Sequence, residues 1–306
     1  MSVGEAPPQR LCLACGARES IGPGALVWPL GWHCPSCSRD TPERDGIPLF
    51  APELADTVTG FDPASFGRLV EVEDAHFWFA ARNELIVGLV NRFFSGASRY
   101  LEIGCGTGAV LRAVGASRTW ARLAGSDLHP AGLAYARARV PRQAELVQMD
   151  ARSIPAASAF DLIGAYDIIE HVEDDEAVLR SLRGAIADGG GTIIAVPQHP
   201  SLWSRADEIA HHQRRYKLGE MEAKLRRNGF DILFSSSFTA VLLPLMALSR
   251  LKSRAAGGDA DIEREVAPGA MTNAVLKAIL RTEVRLTLAG VRWPIGGSRV
   301  IVARAR

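Results

Sequence analysis

Glycine and acidic residues follow one another in this sequence at a spacing that suits a nucleotide-type ligand. Gly104, Gly106 and Gly108 come directly after a short apolar run, and a helical pattern starts behind them. A glycine turn between a strand and a helix lets the backbone approach a ligand closely and directs unpaired N–H groups toward it. Asp127 ends a second apolar run, where a carboxylate can accept hydrogen bonds from two ribose hydroxyls. These residues predict a site for a nucleoside.

Side chains capable of acid–base chemistry cluster further along the chain. Asp167, Glu170 and His171 follow a fourth apolar run, and imidazole is well matched to taking a proton from an acceptor hydroxyl or amine near pH 7. A capping or buried, hydrogen-bonded histidine is the alternative for His171. With a later histidine the three residues could also hold a divalent metal, although hard-metal sites usually need more oxygen ligands. A polar loop over residues 198–216 adds candidates, and the predicted catalytic residues are Tyr166, His171, His199 and His212.

The run from Leu101 to Gly108, with Glu102 two residues before the first glycine, resembles the first motif of class I S-adenosylmethionine (SAM) dependent methyltransferases. The glycines also fit the fingerprint of dinucleotide enzymes. A third acid, Asp150, ends another apolar run, where the resemblance implies a contact to the adenine amino group that an NAD site does not need. We therefore prefer SAM. The resemblance implies that the cofactor-binding residues are Glu102, Gly104, Gly106, Gly108, Asp127, Leu128, Asp150, Ala151, Tyr166, Phe77 and Arg82.

Phe77 and Arg82 belong to an aromatic segment that resembles the stretch before the first motif in bacterial small-molecule methyltransferases. Aromatic clusters usually bury themselves, so core packing and a lid over the cofactor or substrate are comparable interpretations.

Two C-x-x-C pairs near the N-terminus are separated by 18 residues. Four thiolates at this spacing suit one tetrahedral zinc ion, and the predicted ligands are Cys12, Cys15, Cys34 and Cys37. Because four thiolates leave no open coordination position, we expect a structural zinc ribbon rather than a catalytic or redox metal. The stretch 44–50 resembles the ending of small zinc-ribbon modules found beside methyltransferases.

The order of apolar runs and helical patterns predicts an α/β fold. The resemblance implies a doubly wound, Rossmann-like sheet of seven strands, six parallel and one antiparallel. We expect a zinc ribbon over residues 1–50, a linker and N-terminal helices over 51–98, and a SAM-binding domain over 99–306. The predicted strands are Tyr100–Ile103, Leu123–Asp127, Glu145–Met149, Phe160–Tyr166, Thr192–Val196, Phe230–Phe234 and Ser298–Ala303.

A helical insertion at about residues 239–296 separates strands 6 and 7 and is far longer than a usual hairpin loop. Helices are predicted over 240–250 and 271–288, with a flexible segment at 255–261 between them. A lid over the acceptor site and a homodimer surface are comparable interpretations, and contact with a membrane surface is a third.

Composition narrows the choice of partners. Lys plus Arg number 35 and Asp plus Glu 34, so no overall basic field indicates nucleic acid. The first residues lack a signal-peptide pattern and the longest apolar run is too short to span a bilayer, so we expect a cytoplasmic protein.

We expect O- or N-methylation of a small-molecule acceptor. Methylation of ribosomal or transfer RNA, with the ribbon contacting the RNA, and a non-catalytic SAM-binding scaffold are the alternatives.

Overall fold

The computed structural model describes residues 7–57, 62–246, 248 and 268–306. The strands of these residues are β1 (Gln9–Leu11), β2 (Arg18–Ser20), β3 (Glu43–Arg44), β4 (Ile47–Pro48), β5 (Arg99–Ile103), β6 (Arg122–Asp127), β7 (Glu145–Gln148), β8 (Ala156–Ala157), β9 (Phe160–Tyr166), β10 (Ile186–Pro197), β11 (Phe230–Phe238) and β12 (Ser298–Ala305). The α-helices are α1 (Phe66–Glu73), α2 (Phe77–Phe93), α3 (Ala109–Ser117), α4 (Pro130–Arg139), α5 (Asp175–Ala185), α6 (Arg205–Ile209), α7 (Glu220–Arg227) and α8 (Ala270–Leu288).

A seven-stranded sheet in the order β11-β12-β10-β9-β5-β6-β7 forms the centre of the fold. β12 runs antiparallel to both of its neighbours, and the other neighbouring strands pair in parallel. The predicted doubly wound sheet with one antiparallel strand is therefore confirmed. The strand order reverses between β5 and β9, and in such sheets ligands bind at the carboxyl ends of the strands beside this switch point.

The central strands are mostly apolar because helices cover both faces of the sheet. Alternate residues of one strand contribute to two separate hydrophobic clusters, as Tyr100 does to one and Leu101 to the other. Leu162 and Ile163 divide in the same way on β9. Within the described ranges, none of the helices combines the length and apolarity needed to cross a membrane.

Strand β10 begins earlier than the sequence indicates. The predicted strand starts at Thr192, whereas β10 starts at Ile186, directly after α5 ends. Ile186 pairs with Phe160, and the register then shifts before Gly191 pairs with the next part of β9. The glycine-rich segment before Gly191 is thus an irregular part of β10.

Helix α8 confirms the helix predicted over residues 271–288 and packs against α2, where the Arg281 guanidinium contacts Glu84. Its opposite side exposes Met271, Val275 and Ile279. The homodimer surface expected on this insertion stays a prediction. Residues 247, 249 and 250 of the other predicted helix and the whole segment 255–261 lie outside the described residues.

The N-terminal segment packs directly onto the sheet domain. β1 pairs antiparallel with β2 and with β8, which follows β7. Trp28 belongs to the hydrophobic cluster that contains Leu101 and Ile163: its indole N–H donates to the Pro155 carbonyl at 3.1 Å, and its ring lies 5.7 Å from that of Phe160. The predicted boundary at residue 50 therefore separates two segments that share one hydrophobic cluster.

Candidate functional site

The loop after β5 turns sharply at glycines that carry unusual backbone angles. Gly104 has a φ of +65°, and a Cβ at this position would lie 2.5 Å from the Ile168 side chain. A larger residue is therefore disfavoured both by conformation and by contact. The Gly106 N–H donates to the Asp127 carboxylate at 2.9 Å. This bond fastens the glycine loop to the end of β6.

A cavity of about 510 Å³ lies at the carboxyl ends of β5, β6, β7 and β9. Its size falls within the range of about 300–1,000 Å³ that is usual for ligand sites. The strand ends bring most of the predicted site residues to one place. Those that line the cavity are Arg82, Glu102, Gly104, Gly106, Asp127, Leu128, Asp150, Ala151, Tyr166, His171 and His212.

Three of the predicted residues do not line the cavity. Gly108 precedes α3, and a Cβ added to it would lie 2.9 Å from the Val140 side chain. The Phe77 ring stacks on His76, and its backbone N–H is held by a residue of α8. His199 lies in the loop after β10 and donates its backbone N–H to the Tyr216 carbonyl at 2.9 Å. We leave these three out of the site proposed below, and their predicted roles stay predictions.

Two acids of the cavity are buried and form no ion pair with any described residue. Glu102 is 3% exposed, and its Oε2 accepts no hydrogen bond from any described group. Burial raises the pKa of this carboxyl to about 8. Burial also raises the pKa of Asp127, whose two oxygens each accept one backbone N–H, from Gly106 and His129, both at 2.9 Å. Both carboxylates therefore keep lone pairs for a ligand that carries hydroxyl groups or positive charge.

Two other acids of the cavity are neutralised by arginines. Arg82 donates to the Asp167 carboxylate at 2.5 Å, and its guanidinium lies 4.8 Å from the centre of the Trp78 ring. Arg152 donates to the Asp150 carboxylate at 2.6 Å. These ion pairs distinguish Asp150 and Asp167 from the unpaired acids.

The histidine-lined end of the cavity is formed by the turn after β9 and by the loop before α7. The rings of His171 and His212 lie 4.9 Å apart at 79°. Burial, and then the neighbouring His212, lower the pKa of His171 to about 4. This pKa lies below the range near pH 7 that we expected for His171, because desolvation disfavours the imidazolium. Tyr166 is also buried, and burial raises its pKa, so the phenol remains protonated.

Other cavity residues carry no signal in the sequence. Glu73 at the end of α1 accepts a hydrogen bond from the Thr107 hydroxyl at 2.7 Å and thereby ties α1 to the glycine loop. Leu54 reaches the cavity from the short helix that follows the N-terminal segment. Neither belongs to a motif, since both are placed by the packing of distant segments.

The four predicted metal ligands come together away from the cavity. The sulfur atoms of Cys12 and Cys37 lie 3.7 Å apart, as do those of Cys15 and Cys34. Around a tetrahedral zinc with bonds of about 2.3 Å, the sulfurs would lie about 3.8 Å apart. The cluster therefore fits a structural zinc ion, as the sequence predicts.

The sheet order, the glycine loop and the strand-end acids define a Rossmann-like nucleotide-binding domain with the architecture of methyltransferases. Residues 101–194 match the family model described as a methyltransferase domain. The match assigns a methyltransferase domain to this part of the chain, 94 of its 306 residues.

Curated relatives are similar to part of the chain. It is 33% identical over 99 residues to trans-aconitate 2-methyltransferase of Methylobacterium radiotolerans. This alignment covers 32% of this chain and 38% of the relative. It is 31% identical over 156 residues to the enzyme of the same name from Paracidovorax citrulli. That alignment covers 49% of this chain and 58% of the relative. The chain thus matches well under two thirds of the length of either relative.

One solved structure supports the fold. A chain from the complex between the Haloferax volcanii Trm112 methyltransferase activator and a methyltransferase superposes with a TM-score of 0.54 at 17% identity. The superposition covers 79% of this chain and 94% of that chain.

Proposed function

We propose that this chain binds SAM in the cavity and transfers its methyl group to a small-molecule acceptor. The observation that carries the proposal is the cavity itself. It joins the unpaired acids Glu102 and Asp127 to an end lined by His171 and His212 within one space of about 510 Å³. A cofactor and a small acceptor can therefore meet inside it.

The unpaired acids match the groups of SAM. The cofactor carries an ammonium, a sulfonium and a ribose diol. Glu102 offers a carboxyl at the end of β5 that can ionise beside a cation, and Asp127 offers acceptors at the end of β6, where a ribose lies in domains of this architecture. Asp150, at the end of β7, is suited to the adenine amino group through its carboxylate oxygens.

The charges of the cavity favour a small acceptor of low negative charge. The relatives are named for trans-aconitate, a tricarboxylate, which requires several free cationic donors. Of the described residues, the arginines that line the cavity are Arg82 and Arg152, and each is paired with an aspartate. We therefore propose a neutral or singly charged acceptor that bears a hydroxyl or an amine.

The RNA alternative receives little support from the ribbon. Arg10 is buried and lies 3.6 Å from the Glu19 carboxylate. Arg44 forms two hydrogen bonds to Asp56. Both guanidiniums are thus engaged within the chain, whereas an RNA-binding face presents free basic groups to phosphates. The other two arginines expected in such a face, Arg18 and Arg39, are exposed.

The chain's own contribution to catalysis is positioning. SAM supplies a methyl group on sulfur that an acceptor lone pair can attack in line. Aligning two bound reactants in this way can account for a large part of the rate enhancement. Since the pKa of His171 is about 4, its imidazole is neutral near pH 7 and is a weak general base.

Calorimetric titration with SAM and a coupled assay for S-adenosylhomocysteine test the proposal. We expect binding by the full chain, loss of at least tenfold in affinity for Asp127→Asn, and no change for Asp188→Asn, an exposed acid outside the cavity lining. Turnover should appear with hydroxyl- or amine-bearing metabolites. Turnover on RNA alone would favour the RNA alternative, SAM binding without turnover on either class would favour a scaffold, and a folded protein that binds no SAM would refute the proposal.

A further inference from the structure

We propose that Glu170, His171 and His212 form a binding site for one divalent transition-metal ion at the histidine-lined end of the cavity. One donor atom from each of the three side chains lies within 4.8 Å of the other two. The site is separate from the cysteine cluster. It does not depend on methyl transfer, because metal binding can be measured without turnover.

Glu170 provides the first argument. Its side chain is fully buried, and neither carboxylate oxygen forms a hydrogen bond with any described group. The nearest ion-pair candidate is the His212 Nε2, 3.8 Å from Oε1, which is too long for a hydrogen bond. A buried carboxylate without partners is strongly disfavoured unless a cation compensates it. A metal ion bound between the three side chains would supply that cation.

The orientation of His212 provides the second argument. Its Nδ1 lies 2.9 Å from the Asp207 carboxylate, which also accepts from the Arg215 guanidinium at 2.7 Å. Because an ionised carboxylate can only accept, Nδ1 carries a proton, and in the neutral imidazole Nε2 then keeps its lone pair. Nε2 faces Glu170. Histidine ligands of metals are commonly held in this way, by a carboxylate on the nitrogen that does not bind the metal.

The backbone fixes the two contributing segments to each other. The Gln213 N–H, next to His212, donates to the Glu170 carbonyl at 2.9 Å. His171 follows Glu170 in the same short helix, and its Nδ1 is buried without a hydrogen bond to any described group. All three ligands are therefore supplied by two neighbouring pieces of backbone, which favours a preformed site.

The donor set determines the class of metal. Two imidazole nitrogens and one carboxylate oxygen suit zinc, manganese or ferrous iron, whereas magnesium and calcium prefer all-oxygen sites. With bonds of about 2.0–2.2 Å, neighbouring donors of a tetrahedral site lie about 3.4 Å apart. The 3.8 Å between His212 and Glu170 is close to this value. His171 and His212 line the cavity, and Glu170 lies behind them, so the remaining coordination positions would face the cavity.

Manganese is the best probe because it prefers nitrogen and oxygen ligands and avoids the thiolates of the ribbon. The zinc-loaded full chain is titrated with Mn²⁺ alone, and free Mn²⁺ is followed by its electron paramagnetic resonance signal. We expect one Mn²⁺ bound per chain. Glu170→Gln, which keeps the shape of the side chain, should weaken binding by about tenfold or more. Glu208→Gln, at an exposed acid of α6 outside the cavity lining, should leave it unchanged.

His212→Gln provides a second variant, and circular dichroism melting shows whether each variant is folded. Weakened binding in both folded variants, together with competition by Zn²⁺, would support the site. Failure of the wild-type chain to bind Mn²⁺ or additional Zn²⁺ at about millimolar concentration would overturn the proposal. Equal binding by the wild-type chain and a folded Glu170→Gln variant would overturn it as well, since the ion would then sit elsewhere.

Discussion

The buried carboxyl of Glu102 makes SAM binding depend on pH. Its pKa in the folded chain is about 8, against an ordinary value of 4.5, because burial disfavours the charged form. A cationic ligand prefers the ionised carboxylate. Binding should therefore tighten as the pH rises toward 8, and a proton should leave as the ligand enters.

The size of the change in Kd follows from the fraction of the Glu102 carboxyl that is ionised at each pH. With a pKa of about 8, roughly 1% of Glu102 is ionised at pH 6 and about half at pH 8. If only the ionised form binds, the apparent Kd falls roughly 50-fold over this range. At pH 7 roughly nine tenths of a proton should be released for each SAM bound.

The same shift sets the direction of the pH dependence of stability. The unfolded chain loses this proton near 4.5 and the folded chain only near 8, so between these values the folded state binds more protons. The contribution of Glu102 to the free energy of unfolding therefore falls as the pH rises through this window. Glu102→Gln should remove that slope and bind SAM more weakly.

Isothermal titration calorimetry at pH 6, 7 and 8, in buffers of different ionisation enthalpy, measures both quantities. Glu102→Gln is the matched control, because titration of the ligand's own ammonium affects both proteins alike. The reasoning would be refuted if the wild-type chain and the variant showed the same change of Kd with pH, or if no proton were released at pH 7.

Three further outcomes test the rest of the structure. Gly104→Ala places a Cβ 2.5 Å from Ile168 at a φ of +65°. We therefore expect weaker SAM binding and a fall of about 1–3 kcal/mol in the free energy of unfolding measured in urea. The control Gly184→Ala, in open space on α5, should leave SAM binding unchanged. Removing the metal of the cysteine cluster with a chelator should release one zinc per chain and lower the Tm, since β1 pairs with β8; an unchanged Tm would contradict this coupling. Trp28→Ala should destabilise the chain by about 3–5 kcal/mol, because Trp28 packs on Phe160; a loss below about 1 kcal/mol would show that the ribbon stands apart from the core.

The sheet and its strand-end acids can be predicted from the sequence because each is a local property. A parallel strand buried on both faces is a continuous apolar run, and Asp127 ends β6 as predicted. Asp150 follows β7, one residue beyond the predicted end of that run. The glycine loop is equally local, since its backbone angles are set by the residues that carry them.

The partners of the site residues cannot be predicted in this way. Asp167 and Glu170 belong to the same short motif, yet Asp167 pairs with Arg82, 85 positions away, and Glu170 pairs with nothing described. Trp28 reaches a carbonyl 127 positions away. The low pKa of His171 likewise depends on the segments that bury it. Each of these properties arises from packing between distant parts of the chain, which periodicity does not encode.

The division between paired and unpaired acids determines where the cavity can bind positively charged groups. Asp150 and Asp167 are held by arginines, so they add little net field and mainly shape the walls. Glu102 and Glu170 keep buried oxygens without hydrogen bonds from described groups, one at the glycine loop and the other behind the histidines. A fold that leaves two acids uncompensated is less stable without ligands and binds cations more strongly where those acids lie. We infer that the cavity is prepared for two positive charges, the sulfonium cofactor at the glycine loop and a metal ion at the opposite end, with the acceptor between them.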